Sequence, residues 1–119
     1  MFDFEKLEVY SKIRDLNKEL LPWIFKHEEK NTYLCDQLKR ASLSAMLNLS
    51  EGTGRMGVQD KKQFYIRARA SIFESVSVLQ VLLDINVMQN SDYEVFYSKY
   101  EQISKMLLGM IRNVSENIK

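Results

Sequence analysis

Apolar residues return along this chain every three or four positions, in four runs separated by short polar breaks. Val9, Ile13, Leu16, Leu20 and Ile24 make the first run. Such steps keep side chains on one helical face, so they predict a helix over about 4–28. Pro22 lies inside it, lacks an amide donor and crowds the preceding turn, which predicts a kink or restart near Leu21. Asn31 and Thr32 offer a cap for a second helix over about 32–52, with a stripe of Leu34, Leu38, Ala41, Ala45 and Asn48. Asn48 is a polar residue on an inner stripe, and Glu51 lies one turn further on. Gly52 and Gly54 are expected to end this helix by accepting a left-handed backbone. Asp60 is the expected cap of a third helix over about 60–87, which carries Phe64, Ala68, Ser71, Ser75, Val78, Leu82 and Ile85. Ser91 to Glu94 reads as a capping box. The fourth helix, about 91–118, then carries Phe96, Tyr100, Ile103, Leu107, Met110, Val114 and Ile118 in a seam close to a coiled-coil repeat. Short loops between long helices predict an all-α chain: an up-down-up-down antiparallel four-helix bundle, one domain over 1–119.

Composition narrows the function classes. The 119 residues are 45% apolar and 28% charged, enough for a packed core. One proline and four glycines are too few for the many turns of an all-β fold. The lone Cys35 excludes an internal disulfide and suits a reducing compartment. With no basic-then-apolar leader and no apolar run near ~20 residues, the expectation is a cytoplasmic chain without a membrane partner. Net charge is +1, but it is unevenly spread. Lys39, Arg40, Arg55, Lys61, Lys62, Arg67 and Arg69 face only Glu51 and Asp60 between residues 39 and 69, a local +5. Those seven form the candidate nucleic-acid surface, because phosphate contacts supply affinity without sequence information.

A second constellation is polar. Arg40, Ser44, Asn48 and Glu51 share one face of the second helix, and Arg67, Ser71 and Glu74 share one face of the third. With Arg69 they suggest a network between the two helices, Arg40 or Arg69 pairing with Glu51 or Glu74, that fixes helix register. Catalysis has little to stand on. A di-iron bundle needs two Glu-x-x-His motifs, and the only histidine, His27, has Ile24 three residues before it. Cys35 has no histidine partner in view, and the glycines lack the ending of a phosphate loop. No catalytic residue, metal or cofactor is expected. Off-stripe apolar residues on the third helix (Tyr65, Ile72, Val76, Leu79, Leu83) and the fourth (Tyr93, Tyr97, Leu108, Ile111) suggest helices with more than one neighbour, hence a homo-oligomer.

Three blocks of residues also resemble a known family. They are Phe4 to Tyr10; Asp36 to Ser42 with Ser44, Asn48 to Gly52, Gly54 and Arg55; and Phe64 to Glu74. Together they resemble the bacterial four-helix bundle proteins, also called the S23 or 23S ribosomal RNA intervening-sequence proteins. Ala70 stands where that pattern usually has glycine, and Gly57 where it often has serine. The resemblance implies a four-helix bundle with no established enzymatic activity. One branch holds the accessory protein of diversity-generating retroelements. It implies a homopentamer whose basic surface meets RNA or a reverse-transcriptase-like protein. That branch is strongly basic, whereas this chain is near neutral.

Overall fold

A computed structural model describes residues 1–117 of the chain. The four runs form α1 (Glu8–His27), α2 (Thr32–Thr53), α3 (Val58–Asp84) and α4 (Asn90–Asn117). The Ile118 position of the expected seam lies outside the described residues.

Several boundaries differ from the periodic reading, each for a local reason. The first helix starts at Glu8 rather than Phe4. Asp3–Lys6 instead form a 3₁₀ turn, and Leu7 is extended. Aromatic packing holds that turn: Phe4 lies 5.6 Å from Phe2 and 4.9 Å from Tyr10, centroid to centroid. α1 then runs unbroken through Pro22, with no restart. Pro22 is exposed and buried Trp23 and Ile24 anchor the turn after it. Asn31 caps α2, its Oδ1 accepting from the Leu34 N–H at 2.9 Å. α3 is capped by Gly57, not Asp60, which sits in the first turn where the helix dipole favours a carboxylate. It ends at Asp84, not Val87, because Asn86 is left-handed at φ 63°. The Val87 N–H bonds Leu82 O and the Asn86 N–H bonds Leu83 O, both at 3.0 Å, closing the helix end in the usual left-handed manner. α4 opens at Asn90, so Ser91 lies inside the first turn rather than capping it.

Each helix packs against two others, in the cyclic order α1, α2, α3, α4. Cross-helix bonds give the directions. On α2 and α3, Gln37 meets Glu74 at one level and Ser44 meets Ser71 at the next, so the helices are antiparallel. On α3 and α4, Gln80 meets Tyr93 and Arg69 meets Ser104. On α1 and α4, the Trp23 indole donates to Asp92 at 3.2 Å and Lys99 pairs with Glu19 at 2.8 Å. The first stripe, Val9 to Ile24, is buried, as are Phe96, Tyr100, Ile103 and Leu107. α2 is rotated from the expected stripe. Its buried row is Cys35, Leu38, Ser42, Ala45, Leu49 and Gly52, with Ala41 beside it, which leaves Asn48 at the edge and Glu51 exposed. On α3, Tyr65, Ile72 and Leu79 are buried within the chain, while Ile85 is exposed. Those three side chains therefore ask for no second subunit.

Gly52 does a different job from the one its type suggests. It lies inside α2, and among the described residues no glycine has a positive φ. A Cβ there would stand 2.9 Å from both Phe64 Cβ and Tyr65 Cε1. The residue is small because α3 passes against it. Gly54 follows as the cap in a right-handed conformation.

Near mid-length the apolar core is interrupted. Tyr100 OH donates to Ser42 Oγ at 2.8 Å, and Ser42 Oγ donates to Asn17 Oδ1 at 2.5 Å. Asn17 Nδ2 turns back to Ser42 O at 3.4 Å. α1, α2 and α4 thus meet at one hydroxyl. Burial pushes the Tyr100 phenol far above its ordinary range, with the hydroxyls of Ser42 and Ser75, the latter on α3, acting against that rise. The phenol therefore stays a neutral donor, and no charge is buried.

Two pairs of substitutions test this packing by urea or thermal unfolding followed by circular dichroism. Gly52→Ala is expected to destabilise by about 1–3 kcal/mol, since overpacking outweighs the gain in helix propensity. Gly109→Ala, whose new Cβ meets nothing within 4 Å, is expected to stabilise by about 0.5–1 kcal/mol. Equal signs for the two would contradict the close α2–α3 approach. At the polar junction, Tyr100→Phe is expected to cost about 1 kcal/mol and Ser42→Ala about 2–3 kcal/mol. The serine serves both neighbours, and its loss strands a buried acceptor. A larger loss for Tyr100→Phe would refute Ser42 as the shared centre.

Candidate nucleic-acid interface

The basic residues divide into three places. Around the α2–α3 turn lie Arg55, Lys61, Lys62 and, two turns into α3, Arg67. Lys39 and Arg40 sit roughly 20 Å back along α2, at ~1.5 Å per residue. Arg69 points across to α4, where its Nε donates to Ser104 O at 3.2 Å and its guanidinium lies 4.7 Å from the Phe73 ring. The seven positions are not one surface.

Their charges are not equally available either. Asp36 accepts from Arg40 Nε at 2.7 Å and lies 3.6 Å from Lys39 Nζ. The Arg40 hydrogen bond holds the Asp36 carboxyl below its ordinary range, so this site keeps a neutralising anion. Lys61 Nζ donates to Gly52 O at 3.2 Å and Thr53 O at 3.1 Å. It thereby caps the last carbonyls of α2, where the helix dipole favours a cation. What remains at the turn is an aromatic stack. The guanidinium carbons of Arg55 and Arg67 lie 4.5 and 5.0 Å from the centre of the Phe64 ring. Arg55 also reaches Glu51 at 2.9 Å and Asp60 at 3.6 Å. All three side chains are substantially exposed, and such pairs are worth about 0–1 kcal/mol, so an incoming anion can displace them. Phe64 itself packs inward, while its ring orients two arginines.

The polar rows of α2 and α3 meet only at their middle. Ser44 Oγ and Ser71 Oγ are 3.0 Å apart, and Asn48 Nδ2 donates to Ser44 O at 2.9 Å and to its Oγ at 3.0 Å. Glu74 accepts from Gln37 at 3.0 Å rather than from an arginine. The expected pairing of Arg40 or Arg69 with Glu51 or Glu74 does not form. Rotation of α2 puts Glu51 in solvent beside Arg55, and Arg40 reaches back one turn to Asp36. The buried Asn17–Ser42–Tyr100 junction carries the polar role in the core instead. Its signal in the sequence was Asn17 beside Leu16 on the inner face of α1.

Among the described residues no three His, Cys, Asp or Glu side chains are placed to hold a metal ion. Burial, helped by Glu28, pushes the Cys35 thiol up, which keeps it protonated. No helix among the described residues is long and apolar enough to cross a membrane.

Comparisons with known proteins agree on the fold. A solved protein of unknown function from the S23 ribosomal protein family of Bacteroides thetaiotaomicron VPI-5482 is similar over 87% of this chain and 97% of its own, with a TM-score of 0.80. The two are 18% identical, so this likeness concerns architecture alone. No curated protein matches. The family model described as 23S rRNA-intervening sequence protein matches residues 5–109, nearly the whole bundle with the α2–α3 turn inside it. The chain belongs to the 23S rRNA-intervening sequence protein family.

Proposed function

We propose that this chain is a non-enzymatic, cytoplasmic RNA-binding module that acts as a homo-oligomer, with the α2–α3 turn as its RNA-facing end. The observation that carries the reading is the pair of arginines stacked on Phe64, with Lys62 near the start of α3. Stacking restricts each guanidinium before binding, so less entropy is lost when it meets a phosphate. RNA is favoured over other anions by the family description, which concerns 23S rRNA. Self-assembly is favoured by apolar side chains left exposed on α2, α3 and α4: Leu47, Ile66, Phe73, Val81 and Tyr97. A ring of copies multiplies a weak site into a useful one. Five copies is the number implied by the family resemblance. A second reading keeps the assembly and drops the RNA.

Fluorescence anisotropy of a labelled structured RNA, titrated at several salt concentrations, separates the two. Binding is expected near 50 mM salt and is expected to weaken steeply as salt rises, by about 0.9 log unit per log unit of salt for each phosphate neutralised. The triple variant Arg55→Ala, Lys62→Ala, Arg67→Ala is expected to lose at least about tenfold in affinity and to flatten the slope. Lys61 is left intact because it holds the end of α2. If low-salt binding is absent, or the triple variant binds as tightly, the basic turn has no such role.

A further inference from the structure

A groove of about 480 Å³ lies open between α3 and α4. Ile72, Val76 and Tyr100 line it, and Phe73 and Tyr97 border it while 54% and 37% exposed. The Arg69–Ser104 and Gln80–Tyr93 bonds fix the level of each helix, placing Arg69 and Lys105 together at one end. Along the α4 edge the outward residues are Glu94, Tyr97, Glu101 and Lys105, at steps of three, four and four. α2 carries an outward row with the same steps: Arg40, Leu43, Leu47 and Glu51. Leu47 is 59% exposed there, in the middle of the row.

Laid parallel, the two rows match at three of their four positions. Arg40 comes opposite Glu94, Leu43 opposite Tyr97, and Glu51 opposite Lys105. Leu47 falls opposite Glu101, next to the exposed Phe73 ring. Arg40 and Glu51 are already in surface pairs with Asp36 and Arg55, and Glu101 lies 4.0 Å from Lys105. Exchanging such pairs costs little. Within the bundle α2 and α4 are each antiparallel to α3, so they run the same way. A parallel α2-on-α4 contact between copies therefore needs a rotation about an axis along the helices, with no end-to-end flip.

We infer that a second copy of this chain seats the outer row of its α2 in the α3–α4 groove. The contact is head-to-tail. Each copy offers a row on one side and a groove on another, which is the arrangement that closes into a ring. The inference rests on the self-assembly reading above and is independent of the RNA reading.

The test uses full-length, nuclease-treated protein. Leu47→Cys with Phe73→Cys, oxidised at micromolar concentration, is expected to give a ladder of disulfide-linked multimers on a non-reducing gel. Each single variant gives none, and buried Cys35 takes no part. Light scattering on the unmodified chain is expected to show a multimer. Glu51→Lys and Lys105→Glu alone are each expected to raise the concentration at which it dissociates by at least about tenfold, and the double swap to restore it. A monomer overturns the inference together with self-assembly. A multimer with no ladder and no rescue by the charge swap overturns these two faces alone. Circular dichroism of each variant establishes that it is folded.

Discussion

The hydroxyl of Ser42 is the point on which three of the four helices agree. Hydrophobic contacts alone let helices slide and rotate at small cost, because apolar surfaces are broadly interchangeable. A buried hydrogen bond does not, because each misplaced partner is left without water or protein to bond. Ser42 accepts from α4 and donates to α1. The order is also vectorial. The tyrosine hydroxyl donates a hydrogen bond to serine, and the serine hydroxyl donates its own to asparagine. Register and rotation are thereby set for three helices at one level of the bundle.

The Gly52 contact sets the end of the bundle at the α2–α3 turn. There α3 comes within side-chain-free distance of α2, and the turn beyond is held by Lys61 folding back on the helix end. Tight backbone approach and a capped terminus make this hairpin a firm platform. The stacked arginines are presented on it rather than on a loose loop. Rigidity at this place follows from one missing methyl group and one lysine that has turned inward.

The helices were legible in the sequence because their stripes are long and their loops short. Val9 to Ile24 and Phe96 to Leu107 read directly as the inner faces they are. The rotation of α2 was less legible. A helix of small residues, with alanines and serines on neighbouring faces, gives hydrophobic periodicity little contrast, so the inner row could be placed one position off. That shift moved Asn48 and Glu51 inward on paper and hid Ser42. Glycine was read through its backbone freedom, when its small size was the property in use. Residue counts of charge could not show that Asp36 and the α2 carbonyls had already engaged three of the cations, Lys39, Arg40 and Lys61. Asn86, left-handed at φ 63°, marks where α3 stops, short of the Val87 that periodicity alone suggests.

Trp23 is the chain's one tryptophan, and it sits at the opposite end of the bundle from the basic turn. Its indole is bonded to Asp92 of α4 and stacked 4.2 Å from the His27 ring. The bundle extends 48 Å along its longest axis, so events at the turn are remote from this ring. The molecule therefore contains an optical reporter that follows whether the first and last helices remain closed and is silent toward occupancy of the hairpin. A change in its emission on adding a partner signals rearrangement carried through the length of the bundle, not contact.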